Sequence, residues 1–259
     1  MIKRFQKDRL KVEIYGSIDQ MGHASAIKAA SLLNKAIAEI GEANLILATG
    51  ASQFSFYRHL QEQKTDWKKI TVFHLDEYKD LPESHPASFR KYLKERILDI
   101  VQPKQVYFLE GDSQDIPEVI ARYETLLKNH PVDVACIGIG ENGHIAFNDP
   151  PVADFNDPHW VKVVQLDEAC RKQQLGEGWF PTMEDVPREA LSLTIPAIMA
   201  SKAIVCTVPD ERKAKAVNNT LKEEISTSCP ASILRKHGYA YLFLDKESSS
   251  RIEWCKMNL

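Results

Sequence analysis

Residues 11–52 read KVEIYGSIDQMGHASAIKAASLLNKAIAEIGEANLILATGAS, with two short apolar runs on either side of a long helical pattern. The runs KVEIY (11–15) and NLILA (44–48) have the residue types that favour strands. Between them, small and aliphatic side chains recur at helical spacing, and Gly41 follows as a stop signal. They are Ala26, Ala29, Ala30, Leu33, Ile37 and Ile40. This order predicts a parallel β-α-β unit.

The same alternation continues along the chain. Further strands are predicted at 70–75, 105–109, 132–137, 161–166, 190–195, 203–208 and 239–244, and further helices at 53–64, 87–101, 115–129, 210–222 and 247–256. We therefore expect an α/β, Rossmann-like fold, a mostly parallel twisted sheet with helices on both faces, in one domain over residues 1–259. Ligands of such sheets bind where the carboxyl ends of the strands lead into helices.

The composition excludes several classes of protein. The 259 residues are 44% hydrophobic and 27% charged, with a net charge of -3, so we expect neither nucleic acid nor membrane as a partner. No apolar run approaches the roughly 18 residues that a membrane span needs, and the amino-terminal residues do not resemble a signal peptide. Five cysteines without paired spacing predict buried thiols in the cytoplasm, neither cross-linked nor metal-bound. They are Cys136, Cys170, Cys206, Cys229 and Cys255.

The first candidate loop is TGASQ (49–53), which follows a predicted strand and precedes a predicted helix. Free backbone N–H groups at such a helix start, together with the helix dipole, favour a phosphate group. The alternative is that Ser52 only caps the helix.

The second candidate loop is DEYKDLPESHP (76–86), after the predicted strand at 70–75. Adjacent acids at a strand end point in opposite directions, so one of Asp76 and Glu77 can face the cleft while the other anchors the loop. An aspartate facing the cleft is a candidate general base for a proton on carbon, although it can also simply cap a turn.

The third candidate loop, GIGENGHIAFNDPP (138–151), is the most informative. Its glycines satisfy G-x-G-x-x-G, but we reject a dinucleotide site, because the loop follows a late strand and leads into a sequence that resists helix. His144 with Glu141, Asn142 and Asp149 is instead a candidate proton-transfer set. A histidine that is merely hydrogen-bonded in its loop remains the alternative.

Two basic residues follow later strands. Arg171 lies in LDEACR and Lys213 in DERKA, at the start of a predicted helix. A cation at a helix start opposes the helix dipole, so Lys213 suggests an anion that needs neutralising. Solvated charge is the alternative for each residue alone.

The order LATGASQ, FHLDEYKDLPESHPASFRKYL, GIGENGHIAFNDP, LDEACR and DERKA resembles the glucosamine-6-phosphate deaminase family from about Ile14 to Asp245. The resemblance implies conversion of glucosamine 6-phosphate and water to fructose 6-phosphate and ammonia, with no metal and no cofactor. Homo-oligomer formation is a further expectation. The sequence departs from the family pattern at Asn142, where an aspartate is common, and Asp149 stands where the family has a glutamate.

The resemblance also implies roles for single residues. Asp76 matches the general base that moves a proton between C2 and C1, and His144, assisted by Asp149, matches the acid and base of ring opening. Asn142 and Glu141 complete the expected catalytic set, with Asp149 preferred to Glu141 as the partner of His144. The expected substrate-binding residues are Thr49, Gly50, Ala51, Ser52, Glu77, Gly138, Gly140, Arg171 and Lys213.

Three other functions remain open at this point. A 6-phosphogluconolactonase would use His144 on a lactone and leave no isomerase role for Asp76. A related sugar-phosphate isomerase would share most of the motifs. A non-catalytic sugar-phosphate sensor is less favoured, because both Asp76 and His144 are present.

Overall fold

The computed structural model describes residues 1–252 and contains a main sheet of eight strands. In spatial order the strands are β1 (Lys3–Lys7), β2 (Leu10–Ile14), β11 (Ala240–Leu244), β10 (Ala203–Val208), β7 (Val134–Ile137), β3 (Ala43–Leu47), β4 (Ile70–His74) and β6 (Gln105–Tyr107). Every neighbouring pair is parallel except the edge pair β1–β2. The predicted mostly parallel α/β sheet is confirmed.

Helices cover both faces of this sheet. The helices are α1 (Ile18–Ile40), α2 (Phe54–Gln61), α3 (Phe89–Leu93), α4 (Asp99–Val101), α5 (Ile116–Asn129), α6 (Glu168–Gly176), α7 (Ile195–Met199) and α8 (Ala214–Lys222). Strand side chains alternate between two cores: Leu45 and Leu47 pack with α1 and α2, whereas Ile46 packs with α5 and α8. Burial on both faces explains why the strands are almost uninterruptedly apolar.

Helix α1 illustrates how local sequence sets the bounds of an element. The Ser17 side chain accepts a hydrogen bond from the backbone N–H of Gln20, which caps the first turn. Gly41 ends the helix in the left-handed conformation (φ 87°), as its position predicts. The adjacent helix α2 packs closely enough that a Cβ at Gly22 would lie 2.2 Å from Ser55 Oγ.

A second, three-stranded sheet corrects one expectation. The predicted strands at 161–166 and 190–195 form as β8 (Val161–Gln165) and β9 (Glu189–Leu193), but they pair antiparallel and lie outside the main sheet. The third strand, β5 (Asp76–Tyr78), occupies a segment expected to be a loop. It was missed because three residues carry too little periodicity to identify a strand.

Other elements also escaped prediction or shifted. Strand β1, the helices α6 and α7, and the 3₁₀ segment Pro230–Lys236 were not expected. The predicted helix at 247–256 is a series of turns up to residue 251, and its last four residues lie outside the described part of the chain, as does Cys255. The remaining four cysteines are buried free thiols. No helix within residues 1–252 has the length and apolarity required to cross a membrane.

The strand order creates a crevice between β3 and β7. From β3 the chain continues through α2 to β4 on one side, whereas from β7 it continues to β10 on the other side. Adjacent parallel strands whose connections leave in opposite directions open a gap beyond their carboxyl ends, where ligands of α/β proteins bind. The loops that follow β3 and β7 are the first and third candidate loops of the sequence.

The close packing of α1 on α2 gives a stability prediction. Gly22→Ala should lower the free energy of unfolding by about 1 kcal/mol, since an overpacking cost of about 1–3 kcal/mol exceeds the gain of roughly 1 kcal/mol in helix propensity. Gly176→Ala, in open space in α6, is the control and should not be destabilising. Urea unfolding of both variants measures the difference, and a stabilised Gly22→Ala protein would contradict the packing argument.

Candidate active site

The carboxyl ends of four neighbouring strands, β10, β7, β3 and β4, surround one pocket. With its mouth included the pocket measures about 540 Å³, within the range of small-molecule sites. Eight residues predicted from the sequence line it together: Thr49, Gly50, Ser52, Asp76, Gly138, Gly140, His144 and Lys213. Predictions from separate segments thus converge on a single site.

Asp76 lies where the chain passes from the main sheet to the small sheet. The backbone N–H of Leu75 donates to Leu47 of β3, and the next residue, Asp76, pairs with Ser192 of β9. The Asp76 side chain is 6% exposed, and its Oδ1 has no hydrogen-bond partner. Burial, and then the neighbouring Glu77, raises the pKa of Asp76 well above its usual range. Such a carboxylate is a stronger base than an exposed one.

Glu77 points away from the pocket and anchors the following segment. Its two carboxylate oxygens accept hydrogen bonds from three backbone N–H groups, the Ser88 hydroxyl and the Arg90 guanidinium. These contacts fix the start of α3. Glu77 therefore takes the anchoring role that was left open for one of the two acids, and it is not part of the pocket lining.

The glycines of the third loop make room for His144. A Cβ at Gly140 would lie 2.2 Å from Cε1 and Nε2 of the imidazole, so the ring packs directly on a bare backbone. Gly143 adopts a left-handed conformation (φ 90°) that turns the chain before His144. Gly138 lies close to the first loop, since a Cβ atom at this position would be 3.2 Å from Gln53 Nε2. The glycines of the G-x-G-x-x-G pattern thus make room for the His144 ring and turn the chain before it.

His144 is oriented by Asp149. Nδ1 of His144 lies 2.7 Å from Oδ1 of Asp149, which is fully buried. Burial alone would raise the pKa of Asp149, but His144, with Asn142 and the backbone of Asp167, holds it below its usual value. Nδ1 therefore faces the carboxylate at ion-pair distance, which leaves Nε2 as the nitrogen available to a ligand.

Asn142 supports this pair from the side. Its Nδ2 donates to Asp149 Oδ1 (2.9 Å) and to Asp167 Oδ2 (3.3 Å), while its Oδ1 accepts from the backbone N–H of His144 (3.0 Å). An ionised aspartate at 142 could not donate to Asp149. Glu141 lies on the outer side of the loop, 3.7 Å from the Arg212 guanidinium.

Cys170 lies beside the buried pair of His144 and Asp149, a position that the spacing of the sequence did not indicate. Within residues 1–252, His144, Asp149 and Cys170 place one potential ligand atom each within 4.8 Å of one another. Burial, followed by Asp149 and Asp167, raises the pKa of the Cys170 thiol well above its usual value. The thiol is thus held in its protonated form beside the carboxylate. Absence of a metal from the reaction stays a prediction.

The opposite end of the pocket is suited to an anion. Gly50, in a positive-φ conformation (99°), opens the 3₁₀ turn Ala51–Gln53 beneath it. Lys213 is 4% exposed, and its ammonium forms no ion pair with another residue in the described range 1–252. Burial lowers the pKa of Lys213, whereas Glu177 and Glu141 act to raise it. A buried, unpaired cation favours an incoming anion.

Besides Glu77, two predicted substrate-binding residues lie outside the lining of this pocket. Arg171 in α6 donates to the carbonyl groups of Met183 (2.5 Å) and Val186 (2.9 Å). Ala51 lines a neighbouring depression with Arg212 and Lys213. A substrate contact for either residue stays a prediction.

Sequence reasoning missed the contribution of α6. Gln173, Gln174 and Glu177 line the pocket, and Phe89 and Phe147 complete its apolar wall. The segment 168–176 has a weakly amphipathic sequence, so it was not predicted to be a helix. Only Asp167, which caps the helix by accepting from the N–H of Cys170, gave a local signal.

A crevice of this kind, with a buried base, a histidine–aspartate pair and an unpaired buried lysine, defines an acid–base α/β enzyme for a small anionic ligand. The chain belongs to the family of glucosamine-6-phosphate isomerases and 6-phosphogluconolactonases, whose family model matches residues 17–242.

Similar proteins support this assignment. The chain is 36% identical over 204 residues to a glucosamine-6-phosphate deaminase of Bacillus cereus (strain B4264), covering 79% of this chain and 76% of the relative. The corresponding enzyme of Exiguobacterium sibiricum is also 36% identical, with 79% of each chain covered.

Solved structures give the same fold. A monomeric glucosamine-6-phosphate deaminase superposes with a TM-score of 0.84 at 29% identity, covering 92% of this chain and 98% of that one. A 6-phosphogluconolactonase from Trypanosoma brucei has a TM-score of 0.77 at 16% identity, over 97% of this chain and all (100%) of that one, and so shares the fold alone.

The His144 contacts predict unequal effects for the two nearby acids. Asp149→Asn should reduce turnover about tenfold or more, on the order of 1.4 kcal/mol, because the imidazolium loses its buried counter-charge. Glu141→Gln, on the outer side, is the matched control and should cost much less. The pH–rate profiles of both variants check the assignment, which fails if Glu141→Gln gives the larger loss and the larger shift.

Proposed function

We propose that the protein is a glucosamine-6-phosphate deaminase, which converts glucosamine 6-phosphate and water to fructose 6-phosphate and ammonia. The observation that carries the proposal is the buried Asp76 in the same pocket as the His144–Asp149 pair and the unpaired Lys213. The chemistry needs a carbon-acid base, a proton donor and acceptor for ring opening, and a cation for the phosphate. The similar proteins named glucosamine-6-phosphate deaminase support the same substrate.

The first step assigned to the site is opening of the sugar ring. His144 accepts the proton of the C1 hydroxyl and returns it to the ring oxygen as the C1–O5 bond breaks, giving the open-chain aldehyde. Asp149, 2.7 Å from Nδ1, stabilises the imidazolium formed in between.

The second step is isomerisation. Asp76 removes the proton from C2 of the open chain while the C2 ammonium group passes one proton to the C1 carbonyl oxygen, which gives an enolamine. Asp76 then delivers its proton to C1, and an iminium group remains at C2. Water adds to that iminium group, and ammonia leaves with formation of the C2 ketone of fructose 6-phosphate. An elevated pKa suits Asp76 to both halves of the transfer, since it accepts and then releases one proton.

A coupled assay tests the function directly. Purified protein supplied with glucosamine 6-phosphate should release ammonia and fructose 6-phosphate in equal amounts, and treatment with EDTA should leave the rate unchanged. Hydrolysis of 6-phosphogluconolactone without ammonia release would favour the lactonase alternative instead. Binding of sugar phosphates with no turnover of either substrate would favour a sensor.

Asp76→Asn tests the carbon-acid base. Turnover should fall by 10²-fold or more, since general-base catalysis typically contributes about 10²–10⁴-fold. Solvent exchange of the C1 hydrogen should be lost as well. The melting temperature should not fall, because ionised Asp76 is a buried charge whose pKa is raised on folding and therefore opposes folding at neutral pH. A variant retaining a tenth of wild-type turnover would sink the assignment.

Lys213→Ala tests the anion end. The variant should bind fructose 6-phosphate more weakly by roughly 1.5–3 kcal/mol, the contribution of a charge-assisted hydrogen bond. Isothermal calorimetry measures the difference, with the exposed Lys172→Ala as the control for loss of a surface lysine. Equal affinity of wild type and Lys213→Ala would remove Lys213 from the site.

We further propose a cytoplasmic location, supported by four buried cysteines that remain free thiols in the described residues. Homo-oligomer formation also stays a prediction, since one solved relative is monomeric. Light scattering of the purified protein decides it.

A further inference from the structure

Glu177 brings a negative charge into the end of the pocket that we assign to the phosphate. It follows the last residue of α6 and lines the pocket together with Gly50, Ser52 and Lys213. Its Oε2 lies 4.0 Å from the Cβ position of Gly50, the same distance as Ser52 Oγ. The carboxylate thus occupies the space above the first loop.

Neighbouring side chains hold this carboxylate in place. Gln173 Nε2 donates to Oε1 of Glu177 (3.0 Å), and Trp179 Nε1 donates to Oε2 (3.2 Å). The Oε1 of Gln173 in turn accepts from the backbone N–H of Glu141 (3.0 Å), which ties α6 to the histidine loop. The position of Glu177 is therefore built by two donors and is not that of a freely solvated acid.

The charges around Lys213 explain why a carboxylate is favourable there. Burial disfavours the ammonium, and Glu177 is the strongest of the opposite charges that offset this, ahead of Glu141 and Asp210. Arg212 acts in the opposite direction. Lys213 and Glu177 line the same pocket but form no ion pair within residues 1–252, so the carboxylate acts on the ammonium across the pocket.

We propose that the Glu177 carboxylate, which is held in the same pocket as Lys213, repels the phosphate of the substrate and so lowers the affinity of the site for that phosphate. A phosphate dianion and a carboxylate repel each other strongly in a partly buried site. The inference rests on the proposed function only in assigning this end of the pocket to a phosphate.

Glu177 thus affects how tightly the phosphate binds, but it is not itself a phosphate-binding residue. A phosphate ligand would be a donor or a cation, whereas an ionised carboxylate can only accept hydrogen bonds. Replacing Glu177 by glutamine removes the charge and keeps one oxygen that can accept from Gln173 or Trp179. The substitution therefore separates competition by charge from support of α6.

Calorimetric titration with inorganic phosphate tests the proposal. Glu177→Gln should bind phosphate about tenfold more tightly than the wild type, and Glu177→Ala should change in the same direction. Glu168→Gln, a carboxylate-to-amide change at the exposed start of the same helix, is the control and should bind as the wild type does. A melting temperature close to that of the wild type verifies that each variant is folded.

Unchanged or weaker phosphate binding by Glu177→Gln would overturn the proposal, and weaker binding would mean that Glu177 fastens α6 over the ligand. Phosphate binding does not depend on deamination, so the two conclusions fail separately. Tighter binding by Glu177→Gln in a protein that releases no ammonia would refute the deaminase function alone. Ammonia release by a wild type whose Glu177→Gln variant gains no phosphate affinity would refute the proposed role of Glu177 alone.

Discussion

The site depends on the opposite directions in which the chain leaves β3 and β7. Two adjacent parallel strands with diverging connections cannot be covered by one helix at their carboxyl ends, so a crevice stays open there. The crevice is narrow because Gly138, which follows β7, lies against the loop after β3. A Cβ atom at position 138 would be 3.4 Å from Ser52 Oγ. A larger side chain at 138 would separate the two loops. The remaining functional residues are placed relative to this gap by the neighbouring strands β4 and β10.

Buried charge is the common feature of the residues assigned to chemistry. Asp76 and Glu77 are adjacent and both buried, yet Glu77 is surrounded by hydrogen-bond donors while Asp76 Oδ1 has none. This contrast explains why the two acids have different roles. A carboxylate with all its hydrogen-bond donors holds the backbone in place, whereas a carboxylate without them remains basic toward a ligand. Lys213 has the same character with opposite charge. Burial shifts the pKa of each residue toward its neutral form, so both charges oppose folding at neutral pH.

The departures from the family pattern at 142 and 149 are linked in the structure. Asp149 is shorter than the glutamate expected at that position, yet its Oδ1 lies 2.7 Å from His144 Nδ1. Asn142 donates to the same oxygen, which a second ionised acid could not do without strong repulsion. The asparagine therefore supports a single buried negative charge beside the imidazole. The Cys170 thiol also lies next to Asp149, so His144, Asn142 and Cys170 surround one buried carboxylate.

The sequence by itself determined the parallel sheet, the long helix after β2 and the three loops at strand ends, because these follow from local periodicity and from residues such as Gly41 and Ser17. It also pointed to Asp76, His144, Asp149 and Lys213 as candidates, which the structure brings together, while their catalytic and binding roles stay predictions. Only the tertiary structure decided that Glu77 anchors a loop, that β8 and β9 form a separate sheet, that Cys170 lies beside His144 and Asp149, and that Glu177 lines the pocket. Those facts depend on contacts between segments many residues apart, for which a single sequence carries no periodic signal. The physical reason is that burial and hydrogen-bond partners, which set the role of a charged side chain, are properties of the packed chain.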